Sequence, residues 1–149
     1  MSQLKATIQA DVVTAMKAKD AERLGVLRML SAAIKQREVE ERIVLTDSDI
    51  LAVVEKMIKQ RKEALTQFQA AGRTDLVDKE SFEITVLQVY LPEPLSEDEL
   101  AGFITKAIQE AGASSARDMG KVMTLLKDKI QGRADMSIVS QKVKTQLNG

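Results

Sequence analysis

Leu91-Pro92-Glu93-Pro94-Leu95-Ser96 holds the only two prolines in a chain of 149 residues, and everything on either side of it reads as helix. Proline lacks a backbone donor and pushes the residue before it out of the α region, so one helix is predicted to end at Tyr90 or Leu91, with Pro94 and Leu95 extended. Ser96-Glu97-Asp98-Glu99 restarts a helix, because Ser96 suits the N-cap and Glu99, three residues on, completes a capping box. The expected organisation is an N-terminal helical domain over residues 1–91, a proline-containing hinge over 92–95 and a C-terminal domain over 96–149.

Upstream of the prolines, four helices are expected. Ser2 caps a first helix running to about Lys19, and Asp20 caps a second whose inward face is Leu24, Leu27, Leu30 and Ile34. Thr46-Asp47-Ser48-Asp49 opens the third and longest, with Ile50, Val54, Met57, Ile58, Leu65 and Phe68 on one side and Gly72 at its end. Thr74 or Asp75 starts the fourth. Its segment Phe82–Tyr90 is rich in β-branched and aromatic residues, but no second strand exists to pair with it, so helix is the expectation.

Downstream, Leu100, Phe103, Ile104, Ala107 and Ile108 mark a short amphipathic helix closed by Gly112. Ser115 with Asp118 is expected to cap the next, with Val122, Met123, Leu126 and Ile130 inward and Gly132 at its end. Asp135 caps the last, with Val139, Val143 and Leu147 inward. The fold class is therefore all-α: a multihelical N-terminal domain of about four helices and a small three-helix C-terminal domain.

Composition narrows the chemistry. The chain has no cysteine and no histidine, which removes disulfides, thiol nucleophiles, Cys/His zinc sites and imidazole acid–base catalysis. Only Phe68, Phe82, Tyr90 and Phe103 are aromatic, so the core must be aliphatic and a base-stacking platform for single-stranded nucleic acid is not expected. There is no Gly-rich phosphate loop ending in Lys-Ser/Thr and no serine motif with a base at hand. Glu38, Glu40 and Glu41, the one carboxylate cluster worth weighing, lie between Arg37 and Arg42 and read as solvated charge. No catalytic residue, metal site or cofactor is assigned. The amphipathic, charged N-terminal segment is not a secretory signal, and no run of about 18 apolar residues appears; the expectation is a cytoplasmic protein without a membrane partner.

Net charge is zero but uneven. Residues 1–91 balance, residues 92–100 carry four acidic side chains and no basic one, and residues 101–149 carry eight basic against four acidic. A basic tail suggests a polyanionic partner, and the candidate contacts are Arg117, Lys121, Lys127, Lys129, Arg133, Lys142 and Lys144. Arg117 and Lys121, four apart, are neighbours on a helix, whereas Lys127 and Lys129 diverge by about 200°, so only part of the set can converge, and spacing alone favours a solvated face over a phosphate-binding one. A shorter run, Lys56, Lys59, Arg61 and Lys62, lies on the third helix; Arg61 falls toward its apolar side and is expected to pair with Glu80 or Glu83.

Arg23-Leu24-Gly25-Val26-Leu27-Arg28-Met29-Leu30, Ala71-Gly72-Arg73-Thr74-Asp75-Leu76, Val86-Leu87-Gln88-Val89-Tyr90-Leu91-Pro92 and Met119-Gly120-Lys121-Val122-Met123 together resemble the YqeY-like family, across nearly the whole chain. Thr124 and Ser137 depart from it, standing where relatives often carry glycine. The family shares its region (the GatB/YqeY domain) with the tail of the B subunit of tRNA-dependent amidotransferases, which are carbon–nitrogen ligases with glutamine as amido-N-donor. The resemblance implies an all-helical two-part fold and a tRNA-binding role, with tRNA as partner and an aminoacyl-tRNA synthetase or amidotransferase as a further one. It does not imply an enzyme, because glutamine hydrolysis belongs to another subunit and carboxylate activation to a part of the B subunit absent here. The leading expectation is a non-catalytic tRNA-associated module that binds the sugar-phosphate backbone through residues 96–149. A protein–protein adaptor is the alternative, and glutamine-dependent amide transfer, or an accessory role in it, the third.

Overall fold

In the computed structural model, which describes residues 2–148, the chain forms seven α-helices and one 3-10 turn, and no strand is present among the described residues. Met1 and Gly149, included in the expected domain ranges, lie outside the described residues. The helices are α1 Gln3–Lys17, α2 Ala21–Glu41, α3 Asp47–Ala70, α4 Thr74–Gln88, α5 Glu97–Ala111, α6 Met119–Ile130 and α7 Met136–Asn148; the 3-10 turn, Ala116–Asp118, leads into α6. Two compact units divide this chain, Met1–Leu91 and Pro92–Gly149, so Pro92–Leu95 falls in the second.

Local chemistry sets most helix ends. Ser2 accepts a hydrogen bond from the Lys5 amide and Asp20 from the Arg23 amide, which satisfies donors that have no partner inside α1 and α2. Thr46 with Asp49 and Ser96 with Glu99 both form complete capping boxes. Gly72, Gly112 and Gly132 all have positive φ, the left-handed conformation that lets a chain leave a helix without a Cβ clash. α4 begins at Thr74, as expected, although no side chain caps it: Arg73 stands at its N-cap and pairs with Asp75 at 3.1 Å. One start differs from the reading above. Ser115 makes no cap hydrogen bond, and Asp118 accepts from the Ser114 amide at 3.0 Å, which winds residues 116–118 into the 3-10 turn.

Each unit closes over its own aliphatic core. In the first, Ile8 and Ala15 of α1, Val26, Leu27, Leu30 and Ile34 of α2, Ile50, Val54, Met57 and Ile58 of α3, and Ile84, Val86 and Leu87 of α4 pack together with Leu45 and Tyr90. In the second, Leu100, Ile104 and Ala107 of α5 meet Val122, Leu126 and Ile130 of α6 and Val139 and Val143 of α7. The spacing of three and four within each set puts one stripe per helix inward. Burial of each large aliphatic side chain contributes roughly 1.5–3 kcal/mol, and this term dominates because few aromatics are available.

Polar ties finish the first unit. Arg61 meets Glu83 at 3.1 Å with both side chains largely buried, and also donates to the Met57 carbonyl at 3.1 Å, so α3 and α4 are joined through their apolar contact. Glu38 is more than the solvated charge read from sequence. One of its oxygens accepts from Lys5 Nζ at 2.8 Å and the other from the Leu45 amide at 3.0 Å, holding the chain where it leaves α2. The Lys5 bond, with the Leu45 amide second, keeps the Glu38 carboxyl below its ordinary pKa. Hydrogen bonds from Ser2 and the Leu4 amide do the same for Asp47.

Two outcomes follow from these ties. Glu83→Ala leaves the Arg61 guanidinium buried without its partner and is expected to lower the unfolding free energy by about 2–4 kcal/mol in urea titration, whereas converting Arg61 and Glu83 together to apolar residues costs less. Because Glu38 and Asp47 have folded pKa values below their unfolded ones, the unfolded chain takes up protons first as the solution is acidified. Their contribution is present at pH above roughly 5 and is lost as pH falls through and below about 4. A series of melts from pH 7 to pH 3 should show that decline, and Glu38→Gln should flatten it.

Candidate nucleic-acid interface

The seven cations named from sequence occupy the second unit, and their distribution follows from how its three helices pack. On α6 the inward stripe is Val122, Leu126 and Ile130, which leaves Lys121 on the outer face and Lys127 and Lys129 on opposite flanks, about 200° apart. Lys129 identifies its flank, since it reaches Glu110 of α5 at 3.6 Å. Lys127 therefore lies on the flank turned away from α5.

The same construction places the cations of α7. Gln146 donates to Thr105 of α5 at 3.4 Å, so the flank of α7 carrying Gln146 faces α5. Lys142 precedes Gln146 by four residues and sits on that flank, while Lys144, about 200° further round from Lys142, sits on the other. Arg117 is exposed in the 3-10 turn, which packs against both α6 and α7. The set thus divides: Lys129 and Lys142 border α5, Lys127 and Lys144 lie away from it, and Arg117 and Lys121 mark the entry to α6. Arg117, Lys121, Lys127, Lys142 and Lys144 are exposed and have no ion-pair partner among the described residues.

Arg133 has a different role. Its Nε donates to the Glu93 carbonyl at 3.0 Å, and its own carbonyl accepts from the Leu95 amide at 2.9 Å. Glu99 lies close by: the amide and hydroxyl of Ser96 hold its carboxyl below the usual range, and the charge of Arg133 adds a smaller attraction. A phosphate arriving there would meet Glu99, so Arg133 is withdrawn from the exposed cationic set. Spacing had no means of showing this, because Glu93 and Arg133 lie 40 residues apart.

The start of α7 is not left open to an anion. The Asp135 carboxylate accepts from the Ser137 amide at 2.9 Å at the start of α7. Asp118, half-buried before α6, and the exposed Asp128 add negative charge to the same unit. On α3, Lys56, Lys59 and Lys62 are exposed, while Arg61 turns inward to Glu83. Among the described residues, no group of three or more Asp or Glu is placed to hold a metal ion, and no helix is long and apolar enough to cross a membrane.

Seven helices in two units, with exposed cations on both, define an all-helical protein. The chain belongs to the Yqey-like protein family, whose model matches residues 5–147. It is 33% identical over 142 residues to altered inheritance of mitochondria protein 41, mitochondrial, of Pyrenophora tritici-repentis, a match covering 91% of this chain and 76% of that one. An uncharacterised protein of Schizosaccharomyces pombe is 36% identical over 93 residues, covering 62% of this chain and 76% of its own length. The similarly named protein of Eremothecium gossypii is 36% identical over 87 residues, covering 58% of this chain and 48% of that one.

These names correct the expectation of a cytoplasmic protein. The Pyrenophora and Eremothecium relatives are both named mitochondrial, which points toward mitochondria instead. The features behind that expectation, a charged first segment and no long apolar run, bear on secretion and membrane insertion; they do not distinguish cytoplasm from mitochondrion.

Lys129 and Glu110 are each about two-fifths exposed, so their pair is screened by water. Lys129→Ala is accordingly expected to change stability by less than about 0.5 kcal/mol in denaturant titration.

Proposed function

We propose that the chain is a non-catalytic tRNA-associated module whose second unit holds the sugar-phosphate backbone. The observation that supports this most directly is the set of exposed cations Arg117, Lys121, Lys127 and Lys144, none of them used in an ion pair among the described residues and all on the outer face, the entry turn or the flanks away from α5. Lysines on such faces can displace counterions condensed along a phosphate backbone, which is the main source of sequence-independent affinity. Arg133 is left out of the contact set because it is tied to Glu93, and Lys129 contributes less because Glu110 shares its charge. tRNA is present in mitochondria as well as in the cytoplasm, so this reading is compatible with relatives named mitochondrial.

Fluorescence anisotropy of labelled tRNA with the full chain at several salt concentrations tests the reading. Affinity should fall as salt rises, and conversion of Arg117, Lys121, Lys127 and Lys144 to Ala should weaken binding and reduce the salt slope by about one for each phosphate-bound cation removed. Lys129→Ala should have a smaller effect than Lys127→Ala. Binding that the fourfold variant retains in full would exclude this surface.

A second reading, an adaptor for another protein such as a synthetase or amidotransferase, draws on Val39, Ile43 and Val44, each of them exposed at or just beyond the end of α2. Exposed apolar side chains near one another in the chain favour a protein partner where they form one patch. Val39→Asp with Val44→Asp should abolish capture of such a partner and leave tRNA binding unchanged.

A further inference from the structure

The segment that joins the two units is anchored from both ends. On the first unit's side, Tyr90 is buried and its hydroxyl donates to Asp11 of α1 at 2.6 Å. Burial, and then the Asp11 carboxylate, push the Tyr90 hydroxyl well above its ordinary pKa, so this donor keeps its proton through the physiological range. Leu91 follows, packed against the first unit's core, with its amide donating to the Gln88 carbonyl at 3.1 Å.

On the second unit's side, Glu93 gives its carbonyl to Arg133 Nε at 3.0 Å. Leu95 donates its amide to the Arg133 carbonyl at 2.9 Å and packs against the second unit's core. Arg133 is itself held by its amide, which donates to the Ile130 carbonyl at 2.9 Å next to the left-handed Gly132. Ser96 then begins α5 in its capping box.

Pro92 is the one residue between these anchors. Its ring fixes φ near −65°, and it restricts Leu91 to extended ψ values. The soft torsions left are ψ of Pro92 and φ of Glu93.

We infer that the joint between the two units is this single residue, closed on one side by the Asp11–Tyr90 clasp and on the other by the Arg133 clasp on Glu93 and Leu95. Residues 93–95, although they carry a proline and lie outside any helix, belong to the rigid body of the second unit. Arg133 acts as a positioning residue: its guanidinium sets where the second unit begins. Any reorientation of one unit against the other passes through the two torsions at Pro92 and Glu93, while release of either clasp adds further residues to the joint.

Backbone ¹⁵N relaxation on the full chain, with ¹³C′ relaxation at the Glu93 carbonyl, tests this; the reporters are the Tyr90, Leu91 and Leu95 amides and the Glu93 carbonyl, since Pro92 and Pro94 carry no N–H and the Glu93 N–H lies in the peptide plane between the two soft torsions. In the unaltered protein all four reporters should show order parameters near the helical value of about 0.85. Tyr90 and Leu91 should share the rotational diffusion of α1–α4, and the Glu93 carbonyl and Leu95 amide that of α5–α7. Arg133→Gln removes the guanidinium bond and should lower the order parameter of the Glu93 carbonyl toward about 0.6, while Leu95, which donates to the Arg133 backbone carbonyl, stays rigid with Tyr90 and Leu91; Tyr90→Phe should loosen Tyr90 and Leu91 instead. Order parameters below about 0.6 at the Glu93 carbonyl and the Leu95 amide in the unaltered protein would overturn the inference. So would an Arg133→Gln variant that folds and leaves the Glu93 carbonyl rigid. If that variant does not fold, the measurement on the unaltered protein decides the question.

Discussion

Packing of aliphatic stripes is the constraint on which the rest of this molecule depends. With four aromatic side chains in 149 residues, the cores have to be built from Leu, Ile, Val, Met and Ala. Such side chains contribute only by area and fit, so each helix must present one continuous row of them to its neighbours. Val122, Leu126 and Ile130 on α6, and Val139 and Val143 on α7, are all fully buried. That row also dictates where charge can go, because a lysine on α6 or α7 is left with the outer face or one of two flanks.

Polar groups then act as ties at the places that rows of methyl groups leave undefined. Arg61 and Glu83 join α3 to α4, Glu38 gathers Lys5 and the Leu45 amide where α2 ends, and Arg133 holds Glu93 and Leu95. Each tie brings together residues far apart in sequence or turns a backbone group that helical bonding does not satisfy. Arg133 shows how such a tie alters a functional reading: a cation available to phosphate by composition is engaged by a carbonyl and flanked by Glu99.

Much of the fold is legible in the residues. Ser2, Asp20, Thr46 and Ser96 cap the helices assigned to them, and the glycines at 72, 112 and 132 take the left-handed turns, because capping and φ > 0 are decided by a few adjacent residues. The candidate interface is less legible. The divergence of Lys127 from Lys129 can be counted on a helix, but which flank meets α5 cannot, and it is the Glu110 and Gln146 contacts that divide the cations into two groups. Glu38, which reads as solvated, and Asp118, which reads as a helix cap, differ in the structure for one reason: their partners are chosen by the path of the backbone around them.

Leu91-Pro92-Glu93-Pro94-Leu95-Ser96 contains both kinds of information. Its residues alone determine that α4 must stop and α5 must start, because a missing donor, a fixed φ and a capping box are local properties. They also restrict the torsions beside Pro92. Which unit holds Glu93 and Leu95 is decided by tertiary structure, through the carbonyl and Nε of Arg133, some forty residues downstream. Tyr90 is likewise held by Asp11 only because α1 is brought against the end of α4. Local sequence limits what each backbone bond can do, and long-range hydrogen bonds, whose donors and acceptors meet only after the cores have closed, select which of those bonds stay free.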